Sequence, residues 1–515
     1  MSYIPIAVIV SYLVLVTVAG SLLARRNKSS SDWAVAGGSM SLLMVAVGVA
    51  GTRIGGGGTY GVAGDVIHEG VWNMWWYSIS TFLALALVGA FFAVPYRRLK
   101  LHTVGEIFQV RFRSSRCQAL TSLCVQTEYL IVNVIEAYVI GIVLVGVTGM
   151  PMPVAVAIAA VVLISYVSLG GLWGTAVTNL IHCGVIIGGL GLVGLLGIGH
   201  LGGLESIADS ISGHLIDAGR DESIWWSFVG GGGGLIVAMI FSTAIHTPAA
   251  SVYTNYATSA KNERIILPAF LLAGTLAAIM PLLAGVVGMQ TLARYGLESG
   301  LASYKNITML ATEINPWVGG LALAAILAAV ISSGGPILLS SATMFVRDWI
   351  PSSRSRPGEE QLRMYRIATF IYGVLAAILA WVWSISDSPI SILDILLFGF
   401  AVVVPPAIAV GYLIYWKGTT EKGAFWGMAV GYGSGMIWYA LIRWADWVDY
   451  VVAADAPLVQ RIFHYCIAHN GEGIDPSYAT TFIPLLVIPI VSLLTAHEDE
   501  EKAEFYARVR GKVEA

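Results

Sequence analysis

Apolar runs of bilayer length recur along the chain, parted by short polar joints. They lie near 3–23, 39–66, 72–96, 117–148, 152–171, 174–199, 225–248, 264–292, 316–346, 364–385, 389–415, 422–444 and 478–496. About 20 apolar residues cross the hydrocarbon core as a helix, so the pattern predicts 13 transmembrane helices. Two runs carry glycine clusters, Gly55–Gly58 and Gly230–Gly234, 175 residues apart. Glycine is the poorest interior helix former after proline, so each cluster is a place where a membrane helix can come apart. Unwound backbone in lipid is tolerated only where it is buried in protein or lines a cavity. Glycine-interrupted segments at matching points of two halves point to the binding site of a secondary transporter.

The basic residues orient the helices. Arg25, Arg26 and Lys28 follow the first helix, which places its start outside under the positive-inside rule. Alternating from there puts 22 Lys and Arg inside, five outside (Arg220, Arg294, Lys305, Arg443, Arg461) and Arg53 within the membrane, 28 in all. The C-terminus then lies in the cytoplasm, and the tail Ala496–Ala515 is a short charged helix end. The acidic stretches Leu201–Ile224 and Trp444–Tyr478 read as water-facing outer caps. The first run ends at Arg25-Arg26 without a small-residue cleavage site, so it is a retained helix rather than a signal peptide.

Composition agrees with this pattern. The chain of 515 residues is 57% hydrophobic and 11% charged, against about 25% charged in soluble domains. It reads as an all-α multi-pass protein of the cell membrane. The net charge of −3 says nothing of partners, and no nucleic-acid or obligatory protein partner is inferred beyond the lipid bilayer and a small-molecule solute. The four cysteines have no C-x-x-C spacing or neighbouring histidine cluster, so neither a disulfide nor a metal centre is expected from them. No nucleophile–base pair supports an enzyme.

Gly56, Gly58 and Gly61 satisfy G-x-G-x-x-G, but no strand precedes them, so the dinucleotide reading is a false positive. Arg53 is the sharper signal, since a guanidinium near mid-bilayer faces a cavity or a partner. It either receives a substrate carboxylate, which Arg grips bidentately, or forms a buried ion pair that locks helices together. A partner for the second reading is Glu136. Gln126, Tyr129, Asn133 and Glu136 are spaced 3, 4 and 3 apart, which stacks them on one helical face. Glu128 lies off that stripe, nearer the cytoplasmic end, and is expected to snorkel or pair locally. Ser332-Ser333 followed by Gly334-Gly335-Pro336 offers hydroxyls and freed carbonyls, the oxygen donors a hard cation takes, where the helix is weakened. The bland alternative is serine packing as a small residue between helices.

These residues resemble the sodium/solute symporter family. The carriers are the broken helix at 50–61, Thr103-Val104-Gly105-Glu106 with Arg111-Phe112, and Gly170-Gly171-Leu172-Trp173-Gly174-Thr175-Ala176-Val177-Thr178-Asn179. Ser259-Ala260-Lys261 and the Ala329–Asp348 stretch complete them. The resemblance implies a five-plus-five inverted repeat of the LeuT-like type: a leading helix (1–30), repeats at 31–200 and 225–416 around an outer loop (201–224), two added helices (417–497) and a tail (498–515). It implies a Na⁺ site on the carbonyls of Gly51, Ile54 and Ala329 and the hydroxyls of Ser332 and Ser333. Substrate would lie near Arg53 and Gly58, with Tyr129, Asn133 and Glu136 along its path, and against a second break around Ser242–His246. That break follows Gly230–Gly234, since Pro248 and the Ser242-Thr243 hydroxyls lie further along.

The chain departs from the family at Thr178-Asn179 and His182, where Thr-Asp followed by Gln is typical, and at Gly335-Pro336, where some members carry two more serines. Loss of the aspartate and gain of Arg53 both weaken cation binding, so at most one Na⁺ is implied. Proton coupling, in which Asn179, His182 or His246 could take part, and no coupling are the alternatives. A lone membrane histidine is more often a packing residue. The function implied is cation-coupled symport of a small polar solute with a carboxylate: an organic acid, amino acid or zwitterion. A transceptor with a symporter-like body is the rival.

Overall fold

The computed structural model describes residues 3–24, 30–298, 301–385, 391–448, 450–453, 456–467, 474–495 and 502–512. Arg25, Arg26 and Lys28, on which the orientation leans, lie outside them, as do 496–501 of the tail. Regular structure among the described residues is helical, apart from one isolated bridge between Met40 and Ala260. Among the described residues nine helices are long and apolar enough to cross a membrane, ten if the bent pair Leu42–Arg53 and Gly57–Glu69 counts as one span. Ile4–Gly20 and Met152–Ile164 are shorter apolar helices. The expected count of 13 is therefore not established, although helices occupy each of the apolar runs.

Pro316–Trp349 is the axis of the bundle, with 94% of its apolar window buried. Its first half is Gly319-Gly320, Ala322, Ala324-Ala325 and Ala328-Ala329, all buried. Lipid tails are as apolar as leucine, so membrane helices associate through close packing, and small residues let backbones approach. Around this axis pack Met152–His200, Ser115–Thr148, Ile4–Ala24 and Gly358–Ser384. Met152–His200 is two helices that meet at Gly171, whose φ of 55° and ψ of −176° only glycine adopts readily.

The second break falls where Pro248 and the Ser242-Thr243 hydroxyls place it, after Gly230–Gly234: Gly232 (φ 72°) opens the Gly232–Ile240 helix. The helix comes apart at the π-turn Phe241–Ile245 and the tight turn Thr247–Ala249, before Ser251–Ser259. One expectation needs correction: Gly334-Gly335-Pro336 does not weaken its helix into a break, and the helix stays continuous to Trp349. Proline there removes only the N–H that would reach the Ser332 carbonyl, and Asn179 Nδ2 donates to that oxygen at 3.4 Å instead. The outer stretch 201–224 carries its own helix, Leu204–Asp217. The tail forms Lys502–Val509, whose last carbonyl accepts from Arg98 at 2.8 Å.

Candidate functional site

The first break is sharp. Leu42–Arg53 ends at Ile54, which is extended (φ −110°, ψ 103°), and the chain resumes 60° away in a π-turn over Gly57–Gly61. The glycines are required by crowding. A methyl at Gly55 would overlap Glu136 Oε1 and come within 2.5 Å of Ser333 Oγ, and one at Gly51 would sit 2.8 Å from Asn179 Cγ. Helix-breaking composition and close approach of neighbouring side chains thus coincide.

Arg53 ends the first half-helix, where a cation suits the negative helix pole. It is 5% exposed, and its Nη2 donates to Thr243 O at 2.9 Å, so it bridges the two broken helices. The guanidinium lies 5.1 Å over the Phe400 ring. No carboxylate stands within 4 Å of it among the described residues, and its Nε has no hydrogen-bond partner. With Tyr77, Tyr253, Phe400 and Gly58 it walls a cavity that continues past Glu136 to Ser333. That cavity leaves about 20 Å³ for the centre of a water molecule to move in, room for a water or two. A second cavity of about 110 Å³ reaches from Ser242 past Asp65 and Asp394 to Asp475.

Buried polar atoms without partners gather around this centre: Tyr77 Oη, Glu128 Oε2, Asn179 Oδ1, Thr243 Oγ1 and His246 Nε2, besides Arg53 Nε. Native interiors leave few such groups, so a cluster of them asks for something to complete it. Oxygen donors converge at its far corner. Ser332 Oγ lies 2.9 Å from Gly51 O and 2.8 Å from Ala329 O, and Ser333 Oγ 3.1 Å from Ala329 O. These are four of the five expected cation ligands, and the fifth, Ile54 O, belongs to the extended residue beside them. Hydroxyls, carbonyls and the orphaned Asn179 oxygen fit a hard monovalent cation.

The Arg53–Glu136 pair is not formed. Glu136 accepts instead from Gly56 N–H at 2.8 Å and Ser333 Oγ at 2.5 Å. The acid on the side of Arg53 is Glu128, which is buried at 3% exposure and stands 3.8 Å from His246 Nε2. It does not snorkel, because the helix that carries it is enclosed on several faces, and its neighbour is His246 of the second broken helix. The rest of the stripe is buried as expected. Tyr129 Oη accepts from Val252 N–H at 2.8 Å, Asn133 donates to Tyr129 O at 2.7 Å, and Gln126 donates to Ser341 O at 2.9 Å. His246 stacks on Phe400 with ring centroids 4.2 Å apart. Asn179 Nδ2 donates to Gly48 O at 3.1 Å, while His182 hydrogen-bonds Tyr12 of the leading helix. Tyr77, Tyr253 and Phe400 had no signal in the sequence, being aromatic residues in apolar runs.

With this geometry in view, a sequence profile of the Sodium:solute symporter family matches residues 33–431. The chain belongs to the sodium:solute symporter family. Among its relatives are the "Uncharacterized symporter YwcA" of Bacillus subtilis, 23% identical over 80% of this chain and 81% of that one, and the "Sodium/glucose cotransporter 1" of Oryctolagus cuniculus, 23% identical over 83% and 70%. The fold matches a solved "Na+-coupled sialic acid symporter" in its "substrate-bound outward-open state", with a TM-score of 0.72 at 19% identity over 96% of this chain and 98% of that one. The relatives of this family member are transporters, not enzymes, and its fold is that of the LeuT-like transporters.

Proposed function

We propose that the chain is a Na⁺-coupled symporter of a small polar solute bearing a carboxylate, an organic acid, amino acid or similar zwitterion. One observation carries the substrate class: Arg53 is buried on the cavity wall at the first break with no carboxylate within 4 Å among the described residues. A guanidinium placed so deep is expensive to keep without an anion, and a solute carboxylate supplies one. Thr243 O and the Phe400 face hold the guanidinium in place while leaving Nε for cargo. The family supports Na⁺ as the driving ion, with Gly51, Ile54, Ala329, Ser332 and Ser333 as its ligands.

The cavity is too small for an organic solute, so entry requires the bundle to open, and the larger cavity beyond Ser242 is the side on which it opens outward. In this reading 31–200 and 225–416 are the two repeats that rock against each other, and the basic loops face the cytoplasm. The test is a melting-temperature screen of purified protein against carboxylates, amino acids, amines and sugars, with and without Na⁺. An acid should stabilise the wild type. Arg53→Lys and Arg53→Ala should lose at least about 30-fold in affinity for it, the lower end of what removing one partner of a buried charged pair costs, while keeping their response to Na⁺. An Arg53→Ala protein that binds its solute normally rules the carboxylate out. Counterflow in proteoliposomes distinguishes transport from sensing, since a sensor binds without exchanging solute.

A further inference from the structure

The cation ligands implied by the family are all neutral, and the aspartate that would lend them charge is Asn179 here. Glu136 stands at the same corner, on a different helix. It is 1% exposed, and its two oxygens are spoken for: Oε1 accepts from Ser333 Oγ at 2.5 Å, Oε2 from Gly56 N–H at 2.8 Å. The glycines of the break make room for it: a methyl at Gly55 would overlap Oε1, and one at Gly56 would come within 3.0 Å of Oε2.

A serine hydroxyl has one proton and two lone pairs. It can bind a cation only if the proton points away from the ion. Within a helix the usual acceptor is the carbonyl four residues back, here Ala329 O at 3.1 Å. That carbonyl is itself one of the expected cation ligands, so a proton directed at it would sit where the ion belongs. Glu136 offers the nearer and stronger acceptor. By taking the proton it leaves the Ser333 lone pairs and the Ala329 carbonyl for the ion, and it places a negative charge one hydroxyl away.

We propose that Glu136 is the outer carboxylate of the cation site, replacing in function the aspartate absent at Asn179 and tying the ion to the break through Gly56 N–H. The proposal rests on the sodium reading above. The same carboxylate holds the start of the second half-helix, against which the solute is proposed to lie. Binding of the ion therefore fixes the backbone that shapes the solute site.

The test is a Na⁺ titration of the purified full chain in lipid nanodiscs without solute, read by melting temperature and intrinsic tryptophan fluorescence, with choline as the inert cation. Glu136→Gln keeps the shape and an oxygen for Gly56 N–H but loses the charge. Its half-saturating Na⁺ concentration should rise 10- to 100-fold, the usual effect of removing an outer partner of a metal ligand, with melting in choline close to wild type. Glu136→Asp should recover part of the loss. A Gln variant with wild-type Na⁺ response overturns the proposal and leaves the sodium reading intact, whereas a wild type with no Na⁺ response overturns both. If the Gln variant does not fold, the Asp variant decides: an unchanged Na⁺ affinity with the carboxyl drawn back by one carbon overturns the proposal.

Discussion

At the basic end of the bundle Glu106 and Arg347 form a largely buried ion pair, and its removal should be costly. Glu106 begins the helix Glu106–Phe112, and Arg347 lies near the end of Pro316–Trp349. Arg347 donates to Glu106 Oε1 through Nη2 at 2.6 Å and Nε at 2.7 Å, and Glu106 Oε2 accepts from His102 N–H at 2.8 Å. Beside them Thr103 and Gln118 both donate to Asp348 Oδ1, at 2.8 and 2.6 Å. The side chains of the pair are 9% and 18% exposed. That places it between surface pairs, worth up to about 1 kcal/mol, and buried ones, whose breaking costs about 3–5 kcal/mol. We expect Glu106→Gln to cost about 2–3 kcal/mol, since the single amide oxygen can accept from His102 N–H or from Arg347 but not from both, and hydrogen bonds are lost along with the charge. In a cycle with Arg347→Met, followed by reversible unfolding in mixed micelles, the coupling should be at least about 1.5 kcal/mol, within the range for contacting residues. Burial would raise the Glu106 carboxyl, but Arg347, His102 and the hydrogen bonds hold it below its ordinary value of 4.5. The stability it adds is therefore complete above pH 4.5 and is lost as the pH falls through the lower folded value, so wild type and Glu106→Gln should converge in acid. Single losses that simply add, or a gap between the two proteins that does not narrow in acid, would refute the reasoning.

Two further outcomes are expected. Ser333→Ala should weaken the Na⁺-dependent rise in melting temperature by roughly tenfold in Na⁺ concentration, as for loss of a metal's close partner; Ser340→Ala, whose hydroxyl donates to Asn255 Oδ1 at 3.0 Å away from the expected cation ligands, should leave it unchanged, and equal behaviour removes the site. In intact cells Ser30→Cys should be protected from an impermeant thiol reagent and Asp455→Cys labelled; the reverse pattern overturns the orientation drawn from the basic loops.

Much of the architecture was legible because the membrane enforces it. Apolar length marks the helices, and the glycines at 55–58 mark a break because a Cβ at Gly55 or Gly56 would collide with Glu136. The Gln126–Glu136 stripe turned inward because polar groups avoid lipid. Partner choice was not legible. Glu128 and Glu136 are eight residues apart, about 12 Å along the axis but only some 80° around it. In a helix with 72% of its apolar window buried, both directions lead into protein. Which acid lies on the side of Arg53 is then decided by how Ser115–Thr148 crosses the bent helix, a tertiary fact with no period in the sequence. The second break was legible for a different reason: the glycine run permits one, but Pro248 and the turn before it impose one further along.

Why Arg53 and Glu136 do not neutralise each other follows from the broken helix itself. A half-helix that ends leaves carbonyls unpaired and a negative pole; one that begins leaves N–H groups and a positive pole. Arg53 sits at the end of the first half, where its charge is favoured, and Gly51 contributes an oxygen to the cation corner. Glu136 sits at the start of the second, where Gly56 N–H receives it. Each charge is held by the pole of opposite sign, so the guanidinium remains available to an anion and the carboxylate to a cation. An intact helix through Ile54–Gly56 would pair those carbonyls and N–H groups with each other, and both sites would be lost together. In the proposed function, the few residues between Gly51 and Gly58 would then carry the coupling of ion and solute, and no direct contact between the two cargoes would be needed.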